Sequence, residues 1–226
     1  MIRALLIDMD DTLYDERNYV LSGFRAVAAE IARRVPTLDA ATLHADMVAE
    51  LDANGRGQVF DAALTRAGIE PIASRVAELV DLYRAHTPDL ALWPGVSEAL
   101  ADLAREYRMA ILTDGLGAMQ RNKTAALGLA DRVDVILYCW EHDARKPDPS
   151  CYLQALRMLD AGAEEAVVIG DRPDHDIAAA AAIGSRSIRV RTGRHTAVEE
   201  PVADATVADF TQVPAVLRSW RLGATG

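Results

Sequence analysis

Residues 4–15 read ALLIDMDDTLYD. The run from Ala4 to Met9 is short, apolar and ends in acids, the pattern of a parallel strand buried on both faces. Asp8 stands at the end of that strand and Asp10 follows two positions later. Residues two apart in an extended chain share a face, so both carboxylates would enter one crevice. Acids that close repel unless they share a cation or a proton. A hard divalent cation with oxygen ligands relieves that repulsion, and magnesium also carries phosphate. The competing reading is a solvated turn in which Asp10, Asp11 and Thr12 merely cap the next segment of chain.

Outward from this stretch, similar apolar runs recur at 109–113 (MAILT), 133–138 (VDVILY), 166–170 (AVVIG) and 186–190 (RSIRV), with a weaker one at 204–208. Between them the spacing predicts helices over 95–106, 117–127, 149–160, 174–183 and 211–220, stopped at Gly128 and Gly184 in two cases. Strand and helix alternate from residue 95 onward, which implies a parallel sheet covered on both faces. The segment before residue 95 breaks the alternation. There Val20, Phe24, Val27, Ile31 and Val35 repeat at helical spacing, and three further amphipathic stretches come after them. An insert of roughly 75 residues is too long and too helical for a loop, so it predicts a separate lid.

Three more strand ends carry chemistry. In ILTDG (111–115), the Thr113 hydroxyl and adjacent backbone N–H groups suit phosphate oxygens. In RKPDP (145–149), Lys146 precedes a helix, where a cation would neutralise a phosphoryl group. In VIGDRPDHDI (168–177), Gly170 lets the chain turn and Asp171 reaches the shared crevice, while Asp174 reads as a helix N-cap. Each piece alone has an ordinary structural reading; together, at the ends of successive strands, they point to one phosphate site.

In this order and setting the four pieces resemble the haloacid dehalogenase superfamily. The match runs through Asp8, Asp10 and Thr12 in a DxDxT motif, Thr113, Lys146 in KPDP, and Gly170, Asp171 and Asp176 in a GDxxxxD motif, and it covers almost the whole chain. The resemblance implies an α/β, Rossmann-like parallel sheet core from residues 1–13 and 94–226, with an inserted helical cap domain over 14–93. It implies a magnesium-dependent phosphatase in which Asp8 is the nucleophile and Asp10 the acid and base. Asp8, the main-chain carbonyl of Asp10, and Asp171 would hold Mg2+. Thr113, Asp114 through its backbone N–H, and Lys146 would hold phosphate, and Asp176 would orient Lys146 or a metal-bound water. The second acid at Asp10 disfavours the dehalogenase branch, and Asp11-Thr12 disfavours the DxDG phosphomutase branch. A receiver-like module or a catalytically idle phosphate-binding protein are the rivals from other classes, and the long insert and second acid speak against the first. Asp114 departs from the Asn usual in relatives, and Arg172 and His175 depart likewise; Arg172 reads as paired with a neighbouring acid. Glu16, Arg17 and Tyr19 are candidates for contact with substrate, although Tyr19 and Phe24 sit at core spacing.

The bulk properties agree with such a protein. The 226 residues are half apolar, enough for a sizeable core, and 26% are charged. The net charge of −10, without a basic stripe, argues against a nucleic-acid polymer as partner, and the resemblance implies a small phosphorylated metabolite, a sugar phosphate or nucleotide. Two cysteines, Cys139 and Cys151, lie outside any metal pattern, so neither zinc nor a disulfide is expected and the cytoplasm is the expected location. No stretch approaches the ~20 apolar residues of a membrane span.

Overall fold

The computed structural model describes residues 1–195 and 197–223; Thr196 and residues 224–226, within the span expected for the core, lie outside the described residues. Six parallel strands form one sheet in the order β3-β2-β1-β4-β5-β6: β1 (Ala4–Asp8), β2 (Arg108–Thr113), β3 (Val135–Tyr138), β4 (Ala166–Gly170), β5 (Arg186–Val190) and β6 (Ala205–Val207). The α/β Rossmann-like class expected from the sequence is the one observed. β1 lies inside the sheet, flanked by β2 and β4, which is why its apolar run does not alternate: Ala4 to Ile7 have no exposed surface. Ile7 is in register with both Ile111 and Ile169, so Asp8, Thr113 and Gly170-Asp171 reach the same carboxyl edge. The strand order reverses direction at β1, the place in an open α/β sheet where a ligand crevice forms.

The chain divides into two compact units, Met1–Glu16 with Ala91–Gly226, and Arg17–Leu90. The second is wholly helical, with α1 (Glu16–Arg34, whose first residue belongs to the other unit), α2 (Ala40–Asn54), α3 (Val59–Arg66) and α4 (Ala73–Ala85). The stripe Val20, Phe24, Val27 and Ile31 forms its core with Met47 and Leu64. Asp39 caps α2 by accepting the Thr42 N–H at 2.8 Å. Phe24 packs edge-on against Phe60 with ring centroids 5.8 Å apart, and Tyr19 against Tyr83 at 5.7 Å.

In the first unit, α5 (Val96–Leu103), α6 (Gly117–Ala126), α7 (Pro149–Leu159), α8 (Ala178–Ile183) and α9 (Val213–Gly223) alternate with the strands. Leu6, Leu112 and Val168 of adjacent strands join Tyr152, Ala155 and Leu159 of α7 in one buried cluster. The helix expected over 174–183 starts later than that, although its alanine run lies wholly within α8. Pro173–Ile177 forms a wide π-turn, and α8 begins only at Ala178. A π-turn inside a helical run commonly marks a functional site, because the extra residue redirects a side chain; here the turn contains Asp176. Asp174 is not an N-cap, since its carboxylate pairs with Arg172 at 2.8 Å.

One expectation fails outright. Cys139, just after β3, and Cys151, in the first turn of α7, are joined by a disulfide with Cα atoms 5.6 Å apart. Their twelve-residue separation gives no motif; β3 and α7 bring them together in the core, where both are buried.

Leu6→Ala removes a side chain with no exposed surface from a central strand. It is expected to lower stability by about 2–5 kcal/mol, read as a shift of the urea midpoint at unchanged slope.

Candidate active site

Immediately after β1 the chain folds back on itself. The N–H groups of Thr12 and Leu13 both reach the Met9 carbonyl, at 3.3 and 3.0 Å, and Asp11 takes the left-handed conformation at φ 57°. Aspartate tolerates that region better than most residues, because its short polar side chain bonds locally. Asp11 does so by accepting the Glu16 N–H at 2.9 Å, which fixes the start of α1. The turn brings Thr12 back so that its hydroxyl donates to Asp8 Oδ2 at 2.8 Å.

The other oxygen of Asp8 receives Lys146. Its Nζ lies 2.6 Å from Asp8 Oδ1 and 2.9 Å from Asp176 Oδ1, with all three side chains largely sealed from solvent. The loop that supplies Lys146 is held at several points. The disulfide joins its start to α7, Asp148 accepts the Ser150 N–H at 2.8 Å, and the Lys146 N–H donates to Asp114 Oδ2 at 3.0 Å. This last bond gives the Asp at 114 a role an amide oxygen would fill less strongly, since the acceptor is charged. Asp176 is fixed in turn by the Tyr152 hydroxyl at 3.1 Å and the Arg172 N–H at 3.2 Å. Gly170 permits this arrangement: a Cβ there would overlap the Asp176 carboxylate.

Asp10 has a separate set of partners. Lys123 Nζ donates to its Oδ1 at 2.9 Å, Gln120 Nε2 donates to its Oδ2 at 2.9 Å, and the Tyr14 hydroxyl donates a short bond to Oδ1. Gln120 also reaches Thr113 Oγ1 and the Asp114 carbonyl, so β2 and Asp10 are tied through one amide.

These surroundings drive the two acids apart. Burial pushes the Asp8 carboxyl up to about 7, with Lys146 opposing and Asp176 and Asp10 adding to the rise. For Asp10 burial acts in the same sense, but Lys123 and the hydrogen bonds from Tyr14 and Gln120 outweigh it and hold the group below the ordinary carboxylate range. Burial would also discharge Lys146, yet Asp176 and Asp8 keep it well above the usual lysine value.

The carboxylates of Asp8, Asp171 and Asp176 each place an oxygen within 4.8 Å of the others. Asp171 Oδ2 is buried and accepts no hydrogen bond among the described residues. Burial, then the charges of Asp8 and Asp176, push the Asp171 carboxyl up to about 9. Crowded and all-oxygen, with one buried oxygen of Asp171 unpartnered, this group fits a hard divalent cation such as Mg2+.

The structure thus gathers Asp8, Asp10, Thr113, Asp114, Lys146, Asp171 and Asp176 at one sheet edge. The Asp10 carboxylate is turned to Lys123 and Gln120, and the third carboxylate beside Asp8 and Asp171 is that of Asp176. Sequence reading missed Tyr14, Gln120, Lys123 and Tyr152. A signal existed for two of them: Gln120 and Lys123 are polar residues three apart on the buried side of α6. Of the proposed substrate contacts, Tyr19 is core and Arg17 pairs with Asp52 at 2.7 Å. Glu16 pairs with Arg194.

The family model for haloacid dehalogenase-like hydrolases matches residues 2–184. The chain is 32% identical over 219 residues to the glyceraldehyde 3-phosphate phosphatase of Methanopyrus kandleri, covering 93% of this chain and 92% of that one. It is 30% identical over 220 residues to the phosphoglycolate phosphatase of Pectobacterium atrosepticum, covering 94% and 91%. Among solved structures, a 2-haloacid dehalogenase from Pseudomonas syringae pv. Tomato superposes with a TM-score of 0.68 at 27% identity, covering 97% of this chain and all of that one.

Gly170→Ala is expected to displace Asp176 and, through it, Lys146. Loss of such an outer support weakens divalent-cation binding about 10–100-fold, which calorimetric titration with Mg2+ measures; unchanged affinity would mean that Asp176 moves without consequence.

Proposed function

Since the chain belongs to the haloacid dehalogenase-like hydrolases, we propose that it hydrolyses a small phosphomonoester through an aspartyl-phosphate on Asp8. It is a phosphoric monoester hydrolase, and two of its relatives are phosphatases of three-carbon or two-carbon phosphates. The observation that carries the reading is the pairing of two differently held acids at one strand end. Asp8 lies against Lys146 at 2.6 Å, and Asp10 is clamped separately by Lys123 and Gln120.

In the first step an Asp8 oxygen attacks phosphorus in line, forming an O–P bond as the bond to the leaving oxygen breaks. Asp10 delivers a proton to that oxygen, so an alcohol departs instead of an alkoxide. In the second step Asp10 takes a proton from water as the water attacks phosphorus, and the acyl phosphate opens to return Asp8 and inorganic phosphate. Thr113, the Asp114 N–H and Lys146 hold the phosphoryl oxygens, where charge spreads in the transition state. Asp176 keeps Lys146 directed at them. Mg2+ would be held by Asp8, the main-chain carbonyl of Asp10 and Asp171, and would supply positive charge to offset that of the carboxylates and the phosphoryl group. The helical unit, expected over 14–93 and compact over Arg17–Leu90, is assigned the part of a cap that selects the leaving group. A sugar phosphate, a nucleotide or a smaller phosphorylated metabolite fits this scheme.

Asp8→Asn is expected to abolish Mg2+-dependent phosphate release from p-nitrophenyl phosphate while the protein still folds, with the wild-type far-ultraviolet circular dichroism spectrum at the assay temperature. Chelation of Mg2+ with EDTA should do the same to the wild type, reversibly. Near-wild-type turnover of Asp8→Asn would remove Asp8 as nucleophile.

A further inference from the structure

Two buried side chains hold Asp10 and have no place among the proton and phosphoryl transfers of the reaction. Lys123 and Gln120 are each at most 3% exposed, and with Tyr14 they put donors on both oxygens of the Asp10 carboxylate. A carboxylate bonded on both oxygens from several directions cannot rotate about its last side-chain bond without breaking charge-assisted hydrogen bonds. The lysine is the costly member of this set. Burying an ammonium is unfavourable unless a carboxylate meets it, and Lys123 Nζ lies 2.9 Å from Asp10 and 4.0 Å from Glu16. An apolar residue on this face of α6 would satisfy packing at no such cost, so the cation needs a reason.

We propose that Lys123 is a positioning residue for the phosphatase reaction, fixing the Asp10 carboxylate in the orientation from which it exchanges protons with the leaving oxygen and with water. This rests on Asp10 being the acid and base of a phosphatase. Gln120 supports the same orientation and, by bonding Thr113 and the Asp114 carbonyl, keeps Asp10 in register with the strand end that holds phosphate. In this role Lys123 acts on the reaction through the Asp10 carboxylate that it meets at 2.9 Å, and not through the phosphoryl group.

That distinction can be read from the leaving group. An alkoxide is a strong base and departs only if protonated, whereas p-nitrophenolate departs with little help. Misplacing Asp10 should therefore damage cleavage of an alkyl phosphate far more than of an aryl phosphate, in kcat/KM, which reports the steps up to loss of the first product. General loosening of the site would damage both equally. The test compares wild type, Lys123→Met and Lys123→Arg on glycerol phosphate and p-nitrophenyl phosphate with Mg2+. For Lys123→Met the expected loss is about 100-fold on the alkyl ester and less than about 10-fold on the aryl ester, near the usual worth of a positioned acid. For p-nitrophenyl phosphate, KM should stay within about threefold, and Lys123→Arg should restore part of the loss on the alkyl ester. Equal losses on both substrates, no loss, or an arginine variant no better than methionine would overturn the proposal. If Lys123→Met does not fold by circular dichroism, Lys123→Gln against Lys123→Arg gives the same ratio. A wild type that hydrolyses neither ester would overturn the phosphatase reading itself; an active wild type with an unchanged alkyl-to-aryl ratio in the variants would overturn only the role of Lys123.

Discussion

A lysine ammonium sealed between two carboxylates is the constraint on which the carboxyl edge of the sheet depends. Lys146 sits 2.6 Å from Asp8 and 2.9 Å from Asp176, with little of the three side chains exposed. Such a triad is not a cheap source of stability, because desolvating the charges offsets most of their attraction. Removing one member, however, leaves a charge buried without its partner, at a cost of about 3–5 kcal/mol. The surrounding structure is accordingly arranged so that no member can move alone. The disulfide, the Asp148 cap and the Asp114 carboxylate all fix the Lys146 loop, while Tyr152, the Arg172 N–H and the π-turn fix Asp176. Gly170 leaves the space in which Asp176 stands.

The same edge of the sheet solves a second problem, which is to give two aspartates two residues apart different characters. Asp8 is raised because burial dominates there, with Asp176 and Asp10 adding to the rise against one lysine. Asp10 is lowered because a second lysine, a phenol and an amide donate to it and outweigh its burial. The left-handed residue Asp11 and the tight turn onto Met9 end the extended geometry after Asp8, so Asp10 is free to take partners from α6.

Much of this was legible in the sequence, and the failures have a common cause. The apolar runs announced a buried parallel sheet because central strands cannot alternate, and the acids announced its carboxyl edge because charges end such strands. The helical insert was visible through the spacing of Val20, Phe24, Val27 and Ile31. What escaped were features made by tertiary approach. Lys123 and Gln120 meet Asp10 more than a hundred residues away along the chain, and only their polar character on a buried helix face hinted at it. Cys139 and Cys151 carry no spacing motif and meet because β3 and α7 pack together. The alanine run concealed the π-turn, since helix propensity says nothing of where a turn widens to redirect Asp176.

The backbone alone would not distinguish phosphate hydrolysis from halide displacement, as the likeness to a haloacid dehalogenase over nearly the whole chain makes plain. The distinction lies in what the departing atom requires. Halide is a weak base and leaves unaided, so a carboxylate nucleophile suffices for it. The oxygen of an alkyl phosphate is a strong base in its departing form and needs a proton donor held beside it. A second carboxylate two residues from the nucleophile would only add repulsion to a halide-displacing site. Here it is kept, supplied with its own buried lysine, and anchored to the strand end expected to hold phosphate. Sustaining a second buried ion pair beside the first is costly, and the proposed proton transfer to and from oxygen would give it a use.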